Sequence, residues 1–244
     1  MILLRSCLFN LWFYLGTTVI AIACVVPRAV SRLLPPFWAM IYVRGWAAFV
    51  LTGLRLLAGA RWEIRGAEHL PKSGAALLVS MHQSAFDTII WFRVLPRATY
   101  VLKRELLRIP FISGILHELG LIAIDRSAGA AAIRGLLKET DRAVAEGRQI
   151  VIFPEGTRVP PGIEAPLHPG YLAIASRSGL PIIPITTDSG LCWGRKAFRK
   201  RPGVIHIDVH PPFPPGLSRK DMAERLDAIF AAARGEIDRL APGR

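Results

Sequence analysis

Between Ser6 and Pro27 the chain carries no charged residue, and only Asn10, Thr17 and Thr18 interrupt a run dominated by Leu, Phe, Trp, Val and Ile. An uncharged run of roughly twenty residues is enough for a helix to span a bilayer. The alternative, a cleaved signal peptide, fits less well. The run is long for a signal core, and Cys24-Val25-Val26-Pro27 lacks the small-residue cleavage pattern. A retained, hydrophobic, helical membrane-anchoring segment is therefore expected at the N-terminus.

Residues 29–60 are apolar and aromatic too, with Phe37, Trp38, Tyr42, Trp46 and Phe49, but are broken by Arg32, Pro35, Pro36, Arg44 and Arg55. These arginines favour a helix lying in the interface, with cationic ends snorkelling to phosphates, over a full second span. A buried helical hairpin in a larger core is the competing reading. Six arginines and no acidic residue precede Glu63. Such a leader suits an anionic membrane. The net charge of +13 fits either nucleic acid or an anionic surface. No zinc spacing, RNA-binding aromatic motif or basic heptad accompanies it, so nucleic acid is set aside. Arg28, Arg32, Arg44, Arg55, Arg61 and Arg65 follow the first apolar run, and this bias puts the bulk of the chain in the cytoplasm. Three cysteines, Cys7, Cys24 and Cys192, suggest neither a disulfide framework nor a metal site.

After Arg65 the pattern changes. Strand-length apolar runs at 75–80, 120–124, 149–153, 182–187 and 204–209 are interleaved with helix-length segments at 85–94, 128–146 and 167–178. That alternation predicts an α/β fold, a central largely parallel sheet flanked by helices. A final helix starts at a capping box, Ser218 with Asp221. The expected organisation is membrane-associated helices over residues 1–61 and an α/β domain over 62–244. Four prolines and a glycine make 159–169 a loop, suited either to gating a site or to plain surface.

Two short stretches carry chemistry. His82-Gln83-Ser84-Ala85-Phe86-Asp87 follows the first of these strands, at the carboxyl end of the sheet where α/β folds bind ligands. On one helix His82 and Asp87 would point about 140° apart. They meet only if His82 sits in the turn and Asp87 in the first helical turn, with Ser84 as N-cap. Asp87 then holds one imidazole nitrogen and leaves the other basic toward a hydroxyl. Read alone, the same pattern fits a helix cap beside an exposed turn histidine. In Phe153-Pro154-Glu155-Gly156-Thr157-Arg158, Gly156 permits close backbone approach, and turn amides with the Arg158 fork and Thr157 suit a phosphate. Glu155 fits beside an anion only if it orients Arg158 or meets the acceptor's free hydroxyl. An ordinary turn with a solvated arginine is the plainer reading of this hexapeptide.

In order, these stretches resemble the membrane glycerolipid acyltransferases, specifically the bacterial 1-acylglycerol-3-phosphate acyltransferases. The likeness covers residues 62–209. His82 to Asp87 resembles the first block. Lys103-Arg104-Glu105-Leu106, Ile109-Pro110-Phe111 and Gly114 resemble the second, followed by Gly120 and Ile124-Asp125-Arg126. Phe153 to Arg158 resembles the third, and Leu180-Pro181-Ile182-Ile183-Pro184-Ile185 the fourth.

The resemblance implies acyl transfer from a thioester, acyl-CoA or acyl carrier protein, to the sn-2 hydroxyl of lysophosphatidic acid, with no cofactor or metal. It implies His82 as base and Asp87 as its partner. Lys103 and Arg158 would bind phosphate with Gly156 and Thr157, supported by Glu155 and Arg104. Pro181 and Pro184 are structural residues or walls of the donor site. It also implies a bacterial inner membrane, with the catalytic domain on its cytoplasmic face. Another lyso-lipid acceptor, such as a lyso-ornithine lipid, and a non-catalytic lipid-binding protein remain open. Two positions depart from the pattern: Met81 stands where asparagine is common, and His168-Pro169-Gly170 where a lysine often precedes the glycine.

Overall fold

The computed structural model describes residues 1–30, 33–34, 37–108, 113–124 and 129–240. Arg32, Pro35, Pro36, Ile109-Pro110-Phe111 and Asp125-Arg126, which enter the reading above, lie outside the described residues.

Helix α1 (Ile2–Ala23) continues through α2 (Val25–Ala29), and α3 (Trp38–Gly53) runs on into a wider turn at Leu54–Ala58. α1 and α3 lie antiparallel. Arg5 Nε donates to the Leu57 carbonyl, Trp12 Nε1 to the Phe49 carbonyl, and Trp46 Nε1 to Thr17 Oγ1. The Trp12 and Phe49 rings stack with centroids 4.2 Å apart. The second apolar segment, expected to lie in the interface, pairs with the first as a helical hairpin. By length and composition both Ile2–Ala29 and Trp38–Ala58 can cross a membrane. Leu4, Leu11, Leu15, Val19 and Ile22 are exposed along α1, an apolar surface that water disfavours.

Seven strands follow: β1 (Ala60–Arg65), β2 (Ala76–Ser80), β3 (Ala98–Lys103), β4 (Ile122–Ile124), β5 (Gln149–Ile152), β6 (Ile182–Thr187) and β7 (Gly203–Val209). They form one sheet ordered β1-β7-β6-β2-β5-β3-β4, parallel at every pairing except β6 with β7. The expected largely parallel sheet is present. β2, β5 and β6 are buried along their whole length, which is why they read as unbroken apolar runs. β1 and β3 were not expected. In β1, Ala60, Trp62 and Ile64 alternate with Arg61, Glu63 and Arg65, and the charges masked the two-residue period of an edge strand. β3 ends in Lys103 and runs straight into Arg104-Glu105, so its apolar run is short and closes on charge rather than on a turn signal.

Side-chain alternation along β2 divides the core. Leu78 points into a cluster with Phe9 of α1, Val50 of α3, and Ile89 and Ile90 of α4 (Phe86–Val94). Leu77 and Val79 point the other way. There they meet Leu136 of α6 (Ala130–Ala145), Ile174 of α7 (Gly170–Ser178) and Phe230 of α8 (Arg219–Leu240). The short α5 (Ser113–Glu118) leads into β4. At the start of α8, Ser218 and Asp221 form the expected capping box, with Ser218 Oγ accepting the Asp221 N–H at 3.1 Å. Pro184 lies inside β6, where its carbonyl accepts the His210 N–H at 3.0 Å.

Candidate active site

The carboxyl ends of the parallel strands β2, β3 and β5 converge, and each carries part of the site. His82 follows β2 by two residues. Its Nδ1 lies 3.2 Å from Asp87 Oδ2. The same oxygen accepts the backbone N–H of Gln83 and of Ser84, each at 2.7 Å. An oxygen already accepting two amide protons has none of its own to give, so the imidazole donates through Nδ1 and its Nε2 keeps the lone pair. Asp87 is 2 % exposed. The helix begins at Phe86, one residue later than expected, but Ser84 still caps it by accepting the Phe86 N–H on Oγ at 3.1 Å. His82 therefore sits in the turn and Asp87 in the first helical turn, the only arrangement in which they can meet.

The ring of His82 stacks on Phe153 at the end of β5, with centroids 4.1 Å apart and planes within 20°. From the same turn, Glu155 Oε1 accepts the His82 backbone N–H at 3.1 Å. Glu155 neither orients Arg158 nor lines the cavity; it is buried and supports the histidine's backbone. Burial pushes its carboxyl up to about 8, although the amide bonds it accepts act in the opposite direction. The Val159 N–H donates to the His82 carbonyl at 2.7 Å, and the His168 N–H to the Pro154 carbonyl at 2.8 Å, so the proline-rich loop is tied at both ends. The Gly156 N–H donates to the Phe153 carbonyl and closes the turn, so it is not turned toward an anion. What glycine supplies there is a φ of 69° that other residues resist.

A cavity of about 830 Å³ opens beside His82. Phe13 and Ile20 of α1, Trp46 of α3, and Ile89 and Phe92 of α4 line its apolar part. His82, Lys103, Gly156, Thr157 and Arg158 line the rest. Five of the eight residues singled out in the sequence thus share one cavity, and Asp87 and Glu155 stand directly behind one of them. Arg104 does not reach it; it opens the 3-10 turn Arg104–Arg108 beyond Lys103. Pro181, Pro184 and His168 do not line it either. Met81 is buried in the core and its N–H donates to the Ile185 carbonyl, so an apolar side chain suits this position.

Arg195 and Lys196, between β6 and β7, also line the cavity. Nothing in their local sequence marks them, because they lie far along the chain from the other blocks.

A carboxylate–imidazole pair beside an apolar cavity lined by cations, at the carboxyl end of a mostly parallel sheet, defines an α/β class whose candidate site lies where such folds bind ligands. Comparison with known proteins gives this class a family. The acyltransferase family model matches residues 61–188. The chain is 36% identical to a 1-acyl-sn-glycerol-3-phosphate acyltransferase of Pseudomonas aeruginosa over 82% of its own length and 74% of that protein. It is 32% identical to the human 1-acyl-sn-glycerol-3-phosphate acyltransferase alpha over 74% of this chain, spanning 65% of the human protein. The crystal structure of the 1-acyl-sn-glycerophosphate acyltransferase PlsC from Thermotoga maritima superposes with a TM-score of 0.77, covering 97% of this chain and 98% of that one at 21% identity; it shares the fold. The chain belongs to the acyltransferase family.

Proposed function

We propose that this protein transfers an acyl group from a thioester, acyl-CoA or acyl carrier protein, to the sn-2 hydroxyl of 1-acylglycerol-3-phosphate, giving phosphatidic acid. The observation that carries the reading is the cavity itself: the free side of an aspartate-held imidazole and the Arg158 and Lys103 cations line the same space. The names of the bacterial and human relatives support this acceptor.

In this reading Lys103, Arg158 and Thr157 hold the phosphate, and the glycerol hydroxyl faces His82 Nε2. His82 takes the hydroxyl proton as the oxygen attacks the thioester carbon. The tetrahedral intermediate expels the thiolate, which receives that proton from the imidazolium. A thioester is already activated, so neither an enzyme nucleophile nor a metal is required. General-base help is typically worth about 10²–10⁴-fold. Positioning of two substrates supplies much of the rest. The apolar part of the cavity, between α1, α3 and α4, suits an acyl chain. The α1–α3 pair would anchor the protein in the bacterial inner membrane with the sheet on the cytoplasmic side, so that the lyso-lipid reaches the pocket without leaving the bilayer.

The test is thiol release by the purified full-length protein from acyl-CoA and from acyl carrier protein, with and without lysophosphatidate. Lysophosphatidate-dependent release with phosphatidic acid as product, lost in His82→Ala at unchanged melting temperature, is the expected result. Release independent of lysophosphatidate, or transfer to a different lyso-lipid only, would replace this acceptor. Full activity of His82→Ala would remove the base.

A further inference from the structure

Four cations, Lys103, Arg158, Arg195 and Lys196, line the cavity, and among the described residues no carboxylate does. A phosphodiester carries one negative charge. A phosphomonoester carries nearly two at neutral pH, because its second proton leaves near pH 6. Lys103 and Arg158 already exceed the one charge of a diester and only match the two of a monoester, which also presents a third terminal oxygen for further donors to meet. The second pair of cations is surplus for a diester and useful for a monoester.

That second pair is held in place by the fold. Arg195 and Lys196 are the central residues of a turn closed by the Ala197 N–H donating to the Gly194 carbonyl at 3.1 Å. Lys196 has a φ of 53°, the one non-glycine positive value among the described residues. This is a turn position where glycine or asparagine is usual, so a lysine there is held against its own backbone preference. Arg195 Nη1 donates to the carbonyl of Arg158 at 3.3 Å, which seats it on the residue that the proposed function gives to the acceptor phosphate.

The loop is clamped from two sides. Toward the base, Gln83 Oε1 accepts the Gly190 N–H at 3.0 Å. Toward α1, Trp193 packs edge-on against Phe9 and Phe13, with centroids 5.1 Å and 5.3 Å away. Lys200, itself 3 % exposed, donates through Nζ to Asn10 Oδ1 at 2.8 Å. A surface loop free to move needs none of these ties.

We infer that Arg195 and Lys196 read the charge of the acceptor headgroup and make the enzyme favour a phosphomonoester lyso-lipid over a phosphodiester one. The inference rests on the acyl-transfer reading above and adds the residues that select within it.

The experiment compares full-length wild type, Arg195→Gln, Lys196→Gln and Lys196→Gly. Rates are measured with lysophosphatidate and with a lysophosphodiester, lysophosphatidylglycerol, and the acyl donor is varied separately. Loss of one exposed charge pair corresponds to about a fivefold rise in KM for lysophosphatidate. The KM for the donor and the constants for lysophosphatidylglycerol stay within about twofold, a spread too small for loss of a charge contact. Lys196→Gly relieves the strained φ, so it melts at or above the wild-type temperature while showing the same KM rise. A merely structural lysine would not give that combination. An unchanged lysophosphatidate KM in folded variants overturns the inference, as does a rise confined to the acyl donor. If wild type transfers no acyl group to either lipid, the acyl-transfer reading itself fails and the inference falls with it. If wild type is active and the variants match it, only the inference fails.

Discussion

Glu155 Oε1 accepts the backbone N–H of His82 at 3.1 Å across 73 residues of sequence. Two motifs that look like separate functional blocks are thereby one construction: the turn after β5 fixes the turn after β2, and the imidazole lies flat on Phe153 between them. The other oxygen of Glu155 is buried and has no hydrogen-bond partner among the described residues, and burial pushes the carboxyl up to about 8.

A pH effect on stability follows. The folded-state value lies above the ordinary 4.5, so the protonated acid is the form the fold favours. Its contribution is complete below 4.5 and is lost as pH rises through about 8. Within that window each pH unit removes up to about 1.4 kcal/mol. Denaturant unfolding of wild type and Glu155→Gln across this range is the check. The glutamine variant, unable to ionise, lacks this decline, and identical pH profiles would refute the assignment.

Asp87→Asn tests the orientation that the proposed mechanism gives to His82. Asparagine is nearly isosteric, yet its amide can offer N–H rather than an acceptor to His82 Nδ1, which favours the tautomer with the proton on Nε2. The turnover number should drop by about 10²–10⁴, the range of general-base assistance. Stability should fall by about 1.5–3 kcal/mol, the worth of hydrogen bonds to a charged acceptor. Steady-state rates and thermal melts measure both. A variant with wild-type turnover would show that the pair is only a helix cap.

Two glycines should respond in opposite directions to alanine. At Gly190 an added Cβ would lie 2.7 Å from Pro161 Cγ and 3.0 Å from Gln83 Oε1, so the contact between the His82 turn and the cationic loop must open. Gly190→Ala is expected to cost about 1–3 kcal/mol through overpacking and a disturbed buried hydrogen bond. At Gly135, inside α6, a Cβ meets nothing within 4 Å. Gly135→Ala should stabilise by about 0.5–1 kcal/mol, the helix-interior difference between the two residues. Denaturation midpoints compared with wild type give both signs at once.

Lys200 gives a second pH signature, of opposite direction. Burial lowers its ammonium to about 8 from an ordinary 10.5. Between these values the unfolded chain holds a proton that the native protein has released, so stability rises with pH across the window and is lost again as pH falls through about 8. Lys200→Met should flatten that rise, read as the difference between alkaline unfolding curves. A rise of equal slope in both proteins would show that another group titrates there.

Much of this was legible in the chain. The buried strands β2, β5 and β6 announce themselves as short apolar runs because both their faces are covered. The His82–Asp87 meeting could be anticipated because a five-residue spacing and a serine cap permit one geometry only. The long apolar helix α1 needed nothing beyond an uncharged run of sufficient length. All of these depend on residues close together in sequence, where backbone period and capping chemistry dictate the outcome.

What the tertiary structure alone decided is everything joined across long separations. Glu155 was expected to face the substrate or Arg158, and instead supports a backbone amide 73 residues away. Arg104 was expected to support Lys103 at the phosphate, but the strand ends between them and only Lys103 reaches the cavity. Arg195 and Lys196 carry no local signal; they join the site because β6 and β7 bring their loop back over the carboxyl end of β2 and Gln83 catches it 107 residues away. Periodicity reports which face of an element is apolar, whereas contacts between elements depend on sheet order and packing, which no short window of sequence contains.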